Sequence, residues 1–246
     1  MRRVRAFLPE RGDRGSAIDL ETQNIPMHGE QIRMTQPDWF RIVVCGVGGQ
    51  GVLLISRILC EAAMRADLPV VSGEVRNMAQ RGGAVLATVV IGGARSTVVP
   101  NGGADVVLGL EPMEAARVSR FMSERTLVIT NTHPVVPFTL SVQGRPYPPL
   151  PKLLSSIEQR CGELFTLDAT KLAVDAGSIR VLNTVMLGAL AGRSSLSIEG
   201  EVLEKTIEES SPKAHVQINL EAFRAGMACA SNAAVGIRSK SHSNRE

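Results

Sequence analysis

The sequence predicts an α/β fold, with a single doubly wound, mainly parallel sheet that starts with a Rossmann-like strand, glycine turn and helix. Short β-branched runs, which suit buried parallel strands, alternate with helical segments along most of the 246 residues. Four glycines crowd the turn that follows the first of these runs. Hydrophobic residues make up 44% of the chain, which is enough for a sizeable core.

The first strand, turn and helix lie between Arg41 and Ala66. A β-branched run from Arg41 to Cys45 is followed by a turn with four glycines, Gly46, Gly48, Gly49 and Gly51. From Val52 onward, apolar residues recur at the three-and-four spacing of one helical face, which predicts a helix. This order aims backbone N–H groups and the positive end of a helix at an anion.

The glycine turn is close to a dinucleotide-binding pattern but carries an additional polar residue. Gly46 and Gly48 allow a tight turn, and Gly49 and Gly51 let the main chain approach a bound group. Gln50 adds an amide that can both donate and accept hydrogen bonds. The pattern alone also permits a turn that is glycine-rich only for packing.

A second strand is predicted from Leu68 to Val75, and it completes a βαβ unit. Glu74 lies near its end, where an acid in a nicotinamide-binding domain would hold the ribose hydroxyls. The interval from Gly46 is longer than the usual ~20 residues. A charged residue that simply closes a strand is therefore the alternative.

The segment Arg76 to Gly83, RNMAQRGG, is the second stretch in which chemistry is expected. Arg81 carries a planar, always-charged group that suits carboxylate or phosphate, and paired glycines beside it leave room for a ligand. A strand-entry turn with a solvated arginine is the competing interpretation. The strand AVLATVVI follows, and Ala94 to Pro100 is predicted to be its hairpin partner.

Acidic residues flank Pro112 after the next predicted strand, Asp105 to Leu110. Proline suits the first turn of a helix, so Glu111 and Glu114 are expected to complement a helix N-terminus, with catalysis as the lesser alternative.

A proline-rich loop follows the predicted strand Thr126 to Thr132. The loop, His133 to Pro151, contains six prolines, so it cannot pair centrally in the sheet. We expect a surface excursion or a loop that contacts a partner.

The remainder of the chain is predicted to be one strand and several helices. Asp168 ends the strand that starts at Glu163 and can cap the next helix. Ile179 to Ala191 is apolar almost all round and predicts a core helix, in which Asn183 needs a partner from the backbone, a ligand or another subunit. Further helices are predicted at Ser197 to Ser211 and Asn219 to Ala230.

Composition argues against several classes of function. The net charge is +3 and aromatic residues make up 3%, so neither a basic nucleic-acid surface nor stacking platforms are indicated. No apolar run approaches the ~20 residues that cross a bilayer, which favours a cytoplasmic protein without a membrane partner. The four cysteines are far apart and the four histidines are scattered, so we expect free, mostly buried thiols and no metal site.

The two ends of the chain are predicted to be unstructured. Residues 1–37 read as a disordered extension, 38–232 as the folded catalytic domain and 233–246 as a flexible tail. Met27 and Met34 both precede the first strand, and we hypothesise that one of them is the true translation start. A native N-terminus upstream of Met27 in mass spectrometry would reject that.

Five blocks of sequence resemble one family when taken in order. They are CGVGGQG, EVRNMAQRGG, GLEPMEA, VLNTVMLGAL and NLEAFRAG, and together they are similar to the gamma-type subunits of 2-oxoacid:ferredoxin oxidoreductases, in particular the indolepyruvate branch. The resemblance covers about Arg41 to Ala230. Asn77 departs from the glycine that is usual in this family, and the change bears on how the turn before Arg81 bends.

The resemblance implies a catalytic domain within a larger enzyme. Such enzymes decarboxylate a 2-oxoacid on thiamine diphosphate, pass electrons through iron–sulfur clusters to ferredoxin and transfer the acyl group to coenzyme A. This chain shows no thiamine motif and no cysteine array, so a large alpha-type partner subunit is expected to carry thiamine diphosphate, Mg²⁺ and [4Fe–4S] clusters. The chain is expected to hold no cofactor tightly and to be inactive alone.

The resemblance also suggests roles for individual residues. Gly46, Gly48, Gly49, Gln50 and Gly51 would form the cradle for coenzyme A or another anion. Arg81 would pair with a phosphate or carboxylate, supported by hydrogen bonds from Gln80 and Asn183. Two alternatives remain: a nicotinamide-binding oxidoreductase that uses Glu74 on the ribose, and a purely structural subunit whose glycine turn binds nothing.

Overall fold

A six-stranded mixed sheet forms the centre of the molecule. The computed structural model describes residues 39–76, 83–93, 95–136 and 146–233. The strands are β1 (Phe40–Val47), β2 (Val70–Arg76), β3 (Ala84–Ile91), β4 (Val106–Gly109), β5 (Leu127–Asn131) and β6 (Glu163–Leu167). Their order in the sheet is β2-β3-β1-β4-β5-β6.

Among the six strands of the described residues, β3 alone runs against the others. It pairs antiparallel with both β1 and β2, whereas β1, β4, β5 and β6 pair in parallel. The predicted α/β fold with a mainly parallel sheet is therefore confirmed. The carboxyl ends of five strands lie along one edge, the carboxyl edge, where ligands bind in sheets of this type.

The predicted hairpin partner of β3 is wrong. The part of Ala94 to Pro100 that the structure describes, residues 95–100, contains no strand, and β3 instead lies between β2 and β1. Thr88 on β3 donates from its Oγ1 to the carbonyl of Thr97 over 2.9 Å, so this segment runs past the sheet without joining it. Because β3 lies between β1 and β2, the backbone N–H and C=O groups on both of its sides are hydrogen-bonded. A single hairpin partner would have paired one side only.

Seven α-helices among the described residues flank the sheet. They are α1 (Val52–Arg65), α2 (Pro112–Arg117), α3 (Leu150–Glu158), α4 (Ala169–Asp175), α5 (Leu182–Arg193), α6 (Gly200–Ser210) and α7 (Val216–Asn232). The helices predicted from Val52, after Pro112, after Asp168 and at the three C-terminal segments all form, with shifted ends. Asp168 caps α4 as predicted, since its Oδ1 accepts from the Lys171 N–H over 2.8 Å.

Alternating side chains of β1 enter two cores. Ile42 and Val44 pack with α1 and the C-terminal helices, while Val43 and Cys45 pack with residues of α2 and α3. Helix α1 buries one face, formed by Val52, Ile55, Ser56, Ile58, Leu59, Ala62 and Ala63. Burial of α1 on one side of β1 therefore places its N-terminus at the carboxyl edge.

Helices α5 and α7 approach each other through glycines. A Cβ atom on Gly188 would lie 2.0 Å from the Phe223 carbonyl oxygen, and one on Gly226 would lie 2.0 Å from the Val185 oxygen. The two backbones therefore touch directly. Burial on nearly all sides explains why α5 lacks the one-sided pattern of a surface helix.

All four cysteines lie in the described residues and none is in a disulfide, but only two are buried, whereas most were expected to be. Cys45 and Cys161 are buried, Cys60 is half-buried and Cys229 is exposed. The predicted extension at residues 1–37 and nearly all of the predicted tail, 234–246, lie outside the described residues.

Candidate functional site

The glycine turn joins β1 to α1 through two left-handed residues. Gly49 has φ 104° and Gly51 has φ 90°, values that residues with a side chain rarely adopt. Gly51 is the N-cap of α1, no side chain caps this helix end, and its first turn contains no acidic residue. The positive end of α1 is therefore left without a counter-charge from its own sequence.

Two backbone N–H groups of the turn donate hydrogen bonds within the chain, and two others have no acceptor among the described residues. Gly48 donates to the carbonyl of Gly83 over 2.8 Å, and Gln50 donates to that of Val47 over 3.1 Å. Within the described part of the chain, the N–H groups of Gly49 and Gly51 have no acceptor. These two open donors and the first turn of α1 place several positive dipoles together at the start of the helix.

Gln50 closes the turn with its side chain. Its Oε1 accepts from the Val47 N–H over 2.7 Å, and its Nε2 donates to the Leu110 carbonyl over 3.2 Å. The amide thereby fastens the turn to the end of β4. One Nε2 hydrogen remains for another acceptor, and contact between Gln50 and a ligand stays a prediction.

Asn183 lies directly against the N-terminus of α1. It is 4% exposed, and a Cβ built on Gly51 would be 2.9 Å from the Asn183 Cβ. Its amide has no hydrogen-bond partner among the described residues and is not one of the fully buried polar groups there, so it keeps access to solvent. The structure therefore brings the glycine turn and Asn183 together, although Gly51 and Asn183 are 132 positions apart in the sequence.

The other two predicted site residues, Gln80 and Arg81, lie outside the described residues. The residue that resumes the described chain, Gly83, is buried and accepts the hydrogen bond from Gly48. Ala84 then pairs with Val47. The described end of the RNMAQRGG block is thus bonded to the glycine turn.

Asn131 is a site-supporting residue that the sequence analysis missed. It is fully buried at the end of β5, and its Nδ2 donates to the Leu110 carbonyl over 3.3 Å, the same oxygen that Gln50 contacts. Its Oδ1 accepts from the Ala169 N–H over 3.1 Å. Asn131 therefore ties β4, β5 and α4 together beneath the carboxyl edge. An amide that ends an otherwise apolar strand was the available signal.

Glu111 organises the chain after β4 and β5. Its side chain is fully buried, and Oε2 caps α2 by accepting from the Glu114 N–H over 2.9 Å, as predicted. Oε1 accepts from the Val135 N–H over 3.4 Å and from the Tyr147 hydroxyl. Burial, together with the bond to this carboxylate, raises the pKa of Tyr147. One carboxylate therefore holds both sides of the proline-rich loop, whose central residues, 137–145, are not described.

Glu114 and Cys45 face a cavity of about 240 Å³ on the α2 side of the sheet. Burial raises the pKa of Glu114, and the neighbouring Arg117 opposes that shift. Burial raises the pKa of the Cys45 thiol even more strongly, with Glu114 and Glu111 adding to the effect. The thiol is therefore kept protonated and is a poor nucleophile.

Glu74 is remote from the glycine turn. It lies on β2, the outermost strand of the sheet, and β3 separates it from β1. In a nicotinamide-binding domain the acid follows a strand adjacent to the glycine turn. The structure therefore disfavours the role of Glu74 on a ribose.

Neither a cluster of metal-binding side chains nor a membrane-spanning helix is present in the described ranges. In residues 39–76, 83–93, 95–136 and 146–233, no group of three or more His, Cys, Asp or Glu side chains could hold a metal ion. Within those same ranges, no helix has the length and apolar character needed to span a membrane.

The chain matches the family model described as pyruvate ferredoxin/flavodoxin oxidoreductase over residues 41–229. Subunit IorB of indolepyruvate oxidoreductase from Methanothermobacter thermautotrophicus is 43% identical over 191 residues, which is 78% of this chain and 97% of that protein. Its counterpart from Archaeoglobus fulgidus is 40% identical over 185 residues, covering 75% and 92% respectively.

Solved structures show the same fold. The gamma subunit of a keto/oxoacid ferredoxin oxidoreductase from Geobacter sulfurreducens superposes with a TM-score of 0.57 at 24% identity, covering 79% of this chain and 99% of that one. Subunit PORC of pyruvate oxidoreductase from Thermotoga maritima gives 0.58 at 26% identity, covering 77% and 96%. A 2-oxoglutarate:ferredoxin oxidoreductase from Magnetococcus marinus gives 0.60 at 19% identity, covering 80% of this chain but 32% of that chain.

Proposed function

Because this chain belongs to the pyruvate ferredoxin/flavodoxin oxidoreductase family, we propose that it holds coenzyme A beside the thiamine centre of a larger partner subunit. The chain is a subunit of a 2-oxoacid:ferredoxin oxidoreductase. The reaction proposed for the assembled enzyme is oxidative decarboxylation of an aryl 2-oxoacid, such as indolepyruvate, to an acyl-coenzyme A.

The observation that carries the proposal is the open N-terminus of α1. Gly49 and Gly51 present unused N–H groups, α1 lacks a side-chain cap, and Asn183 lies against Gly51 with an amide that has no partner among the described residues. Such a set suits a phosphate group, because backbone donors and the helix dipole both favour negative charge. Coenzyme A carries phosphates and is the co-substrate of this reaction.

Each residue of this chain has a binding role in the proposal. Gly49 and Gly51 donate to a phosphate oxygen, Asn183 donates from its amide, and Gly46, Gly48 and Gln50 shape the turn. Arg81, which is two residues before Gly83, pairs with a second phosphate oxygen, and Gln80 supports it. Arginine–phosphate pairs are strong because the guanidinium is planar and always charged.

The remaining chemistry is assigned to a large alpha-type subunit. Thiamine diphosphate with Mg²⁺ supplies decarboxylation there, and [4Fe–4S] clusters pass electrons to ferredoxin. The four cysteines of this chain are dispersed, which does not fit a cluster site. The Magnetococcus neighbour supports a partner role, since its matched part is 32% of a longer chain and that structure contains bound coenzyme A.

The proposal is tested in the complex reconstituted with its large subunit. Replacing Arg81 with Ala removes a charge-assisted bond worth ~1.5–3 kcal/mol, so we expect the KM for coenzyme A to rise at least tenfold. The KM for the 2-oxoacid should change little. Arg81→Lys should recover part of the loss, because it restores charge without the planar fork.

A structural role without ligand binding is the second candidate. It is favoured by one observation, namely that the Gln50 amide bonds to Val47 and Leu110 within the chain. Under that alternative, Arg81→Ala leaves the KM for coenzyme A and the turnover of the assembled complex unchanged.

A further inference from the structure

The cavity beside Glu114 is separate from the glycine turn and contains an unsatisfied carboxylate oxygen. The Glu114 side chain is 3% exposed, and within the described part of the chain its Oε1 has no hydrogen-bond partner. Arg117 Nη1 lies 3.2 Å away without hydrogen-bond alignment. A buried carboxylate oxygen left without a donor destabilises the folded protein. This oxygen therefore marks a place where a donor from outside the described chain fits.

The rest of the cavity is mainly apolar. Its walls include Val75, Val85, Leu86 and Phe121, and Arg117 and Arg120 stand at its rim. Val75, at 64% exposure, shows that the cavity is open to its surroundings. An apolar pocket with one directed acceptor and a positively charged rim suits an anionic molecule with a flat apolar body and one N–H or O–H group.

Size limits the occupant further. The cavity volume of about 240 Å³ is below the ~300–1,000 Å³ of ordinary ligand sites, so it admits a ring system but not a whole nucleotide cofactor. Its position matters equally, because Cys45 and Val75 lie near the carboxyl ends of β1 and β2, and Ala84 begins β3. The cavity thus opens at the same carboxyl edge as the glycine turn.

We propose that this cavity receives the aromatic ring of the 2-oxoacid substrate, and that Glu114 selects rings with an N–H or O–H donor. The inference rests on the proposed function, since it assumes turnover of aryl 2-oxoacids. The ring lies against Leu86 and Phe121, its donor points to Glu114 Oε1, and the oxoacid end remains at the carboxyl edge toward the partner's thiamine. Glu114 is thereby a specificity-determining residue supplied by this chain.

Two 2-oxoacids of the same shape provide the test. Indole-3-pyruvate carries a ring N–H, whereas the 1-benzothiophene analogue has sulfur in its place. The reconstituted complex should prefer the indole in kcat/KM by roughly tenfold or more, the loss that follows when a donor to a charged group is removed. Glu114→Met should bring that ratio to about one, and Glu114→Gln, which retains an acceptor oxygen, should give an intermediate ratio.

A binding measurement separates recognition from turnover. Equilibrium dialysis with the non-reacting acids indole-3-propionate and 1-benzothiophene-3-propionate should show the same preference and the same loss in Glu114→Met. Glu201→Met, at an exposed position on α6, is the matched control and should preserve both ratios.

The outcomes distinguish the inference from the proposed function. If the wild-type complex turns over neither aryl acid, the proposed function fails. If it turns over both and Glu114→Met keeps the wild-type ratio, the ring site is wrong. If Glu114→Met instead weakens association with the large subunit and leaves the ratio intact, the oxygen serves a partner side chain, which also overturns the inference.

Discussion

Gly49 and Gly51 provide a matched pair for testing the architecture of the glycine turn. Both have positive φ values, 104° and 90°, but their surroundings differ. A Cβ on Gly49 would meet nothing within 4 Å, whereas one on Gly51 would lie 2.9–3.1 Å from three atoms of Asn183. Alanine at either position therefore imposes the same kind of backbone strain, and only at Gly51 does it add a collision.

The magnitudes follow from these two terms. A left-handed backbone conformation costs a residue with a side chain ~1–2 kcal/mol. Replacing glycine by alanine also reduces the conformational entropy of the unfolded chain, which offsets ~0.4–1 kcal/mol of that cost. Gly49→Ala should therefore cost about 1 kcal/mol. Crowding a packed position adds ~1–3 kcal/mol, so Gly51→Ala should cost about 2–4 kcal/mol.

Urea unfolding of the two variants, followed by far-ultraviolet circular dichroism, measures the difference. Because the strain term is shared, the gap of ~1–3 kcal/mol reports the contact with Asn183 alone. Equal losses for Gly49→Ala and Gly51→Ala would refute the placement of Asn183 against the N-terminus of α1.

Three further predictions concern the supporting structure. Gly188→Ala should lower the free energy of unfolding by about 3 kcal/mol or more in urea titrations. The reason is that the new Cβ would lie 2.0 Å from the Phe223 carbonyl oxygen. A loss below about 1 kcal/mol would contradict the close packing of α5 on α7. Glu111→Gln should lower the free energy of unfolding by ~1.5–3 kcal/mol in thermal unfolding, because the buried carboxylate accepts three hydrogen bonds. Tyr147→Phe, which removes one of the three, should cost less. The reverse order would contradict the role of Glu111 in holding the two sides of the proline-rich loop. Burial raises the pKa of Glu114 above its usual 4.5, so its ionised form destabilises the folded state. Glu114→Met should therefore be the more stable protein at neutral pH, and its advantage should shrink as the pH falls through the raised pKa toward 4.5; an advantage that grows on acidification would contradict the shift.

Local patterns in the sequence predicted most of the elements correctly. The β-branched runs and three-and-four spacing mark β1 and α1, and Pro112 and Asp168 mark the starts of α2 and α4. The order of the strands was harder to predict. The segment after β3 has a strand-like composition, but β3 finds both partners elsewhere, and pairing over long sequence separations overrides local propensity.

The candidate site was predictable only in part. The glycine turn is visible in sequence because positive φ values demand glycine, and Asn183 is visible as an amide in an apolar helix. The contact between them depends on how α5 packs against α1 and β5, which no local pattern encodes. Asn131 and Tyr147 were missed for the same reason, since their partners lie 21 and 36 residues away.

The most direct test of the central claim is hydrogen–deuterium exchange in the reconstituted complex, with and without coenzyme A. We expect coenzyme A to slow exchange at the N–H groups of Gly49 and Gly51 and in the first turn of α1, and NADH to leave them unchanged. Unaltered exchange there at saturating coenzyme A would contradict the assignment of the glycine turn as its binding site.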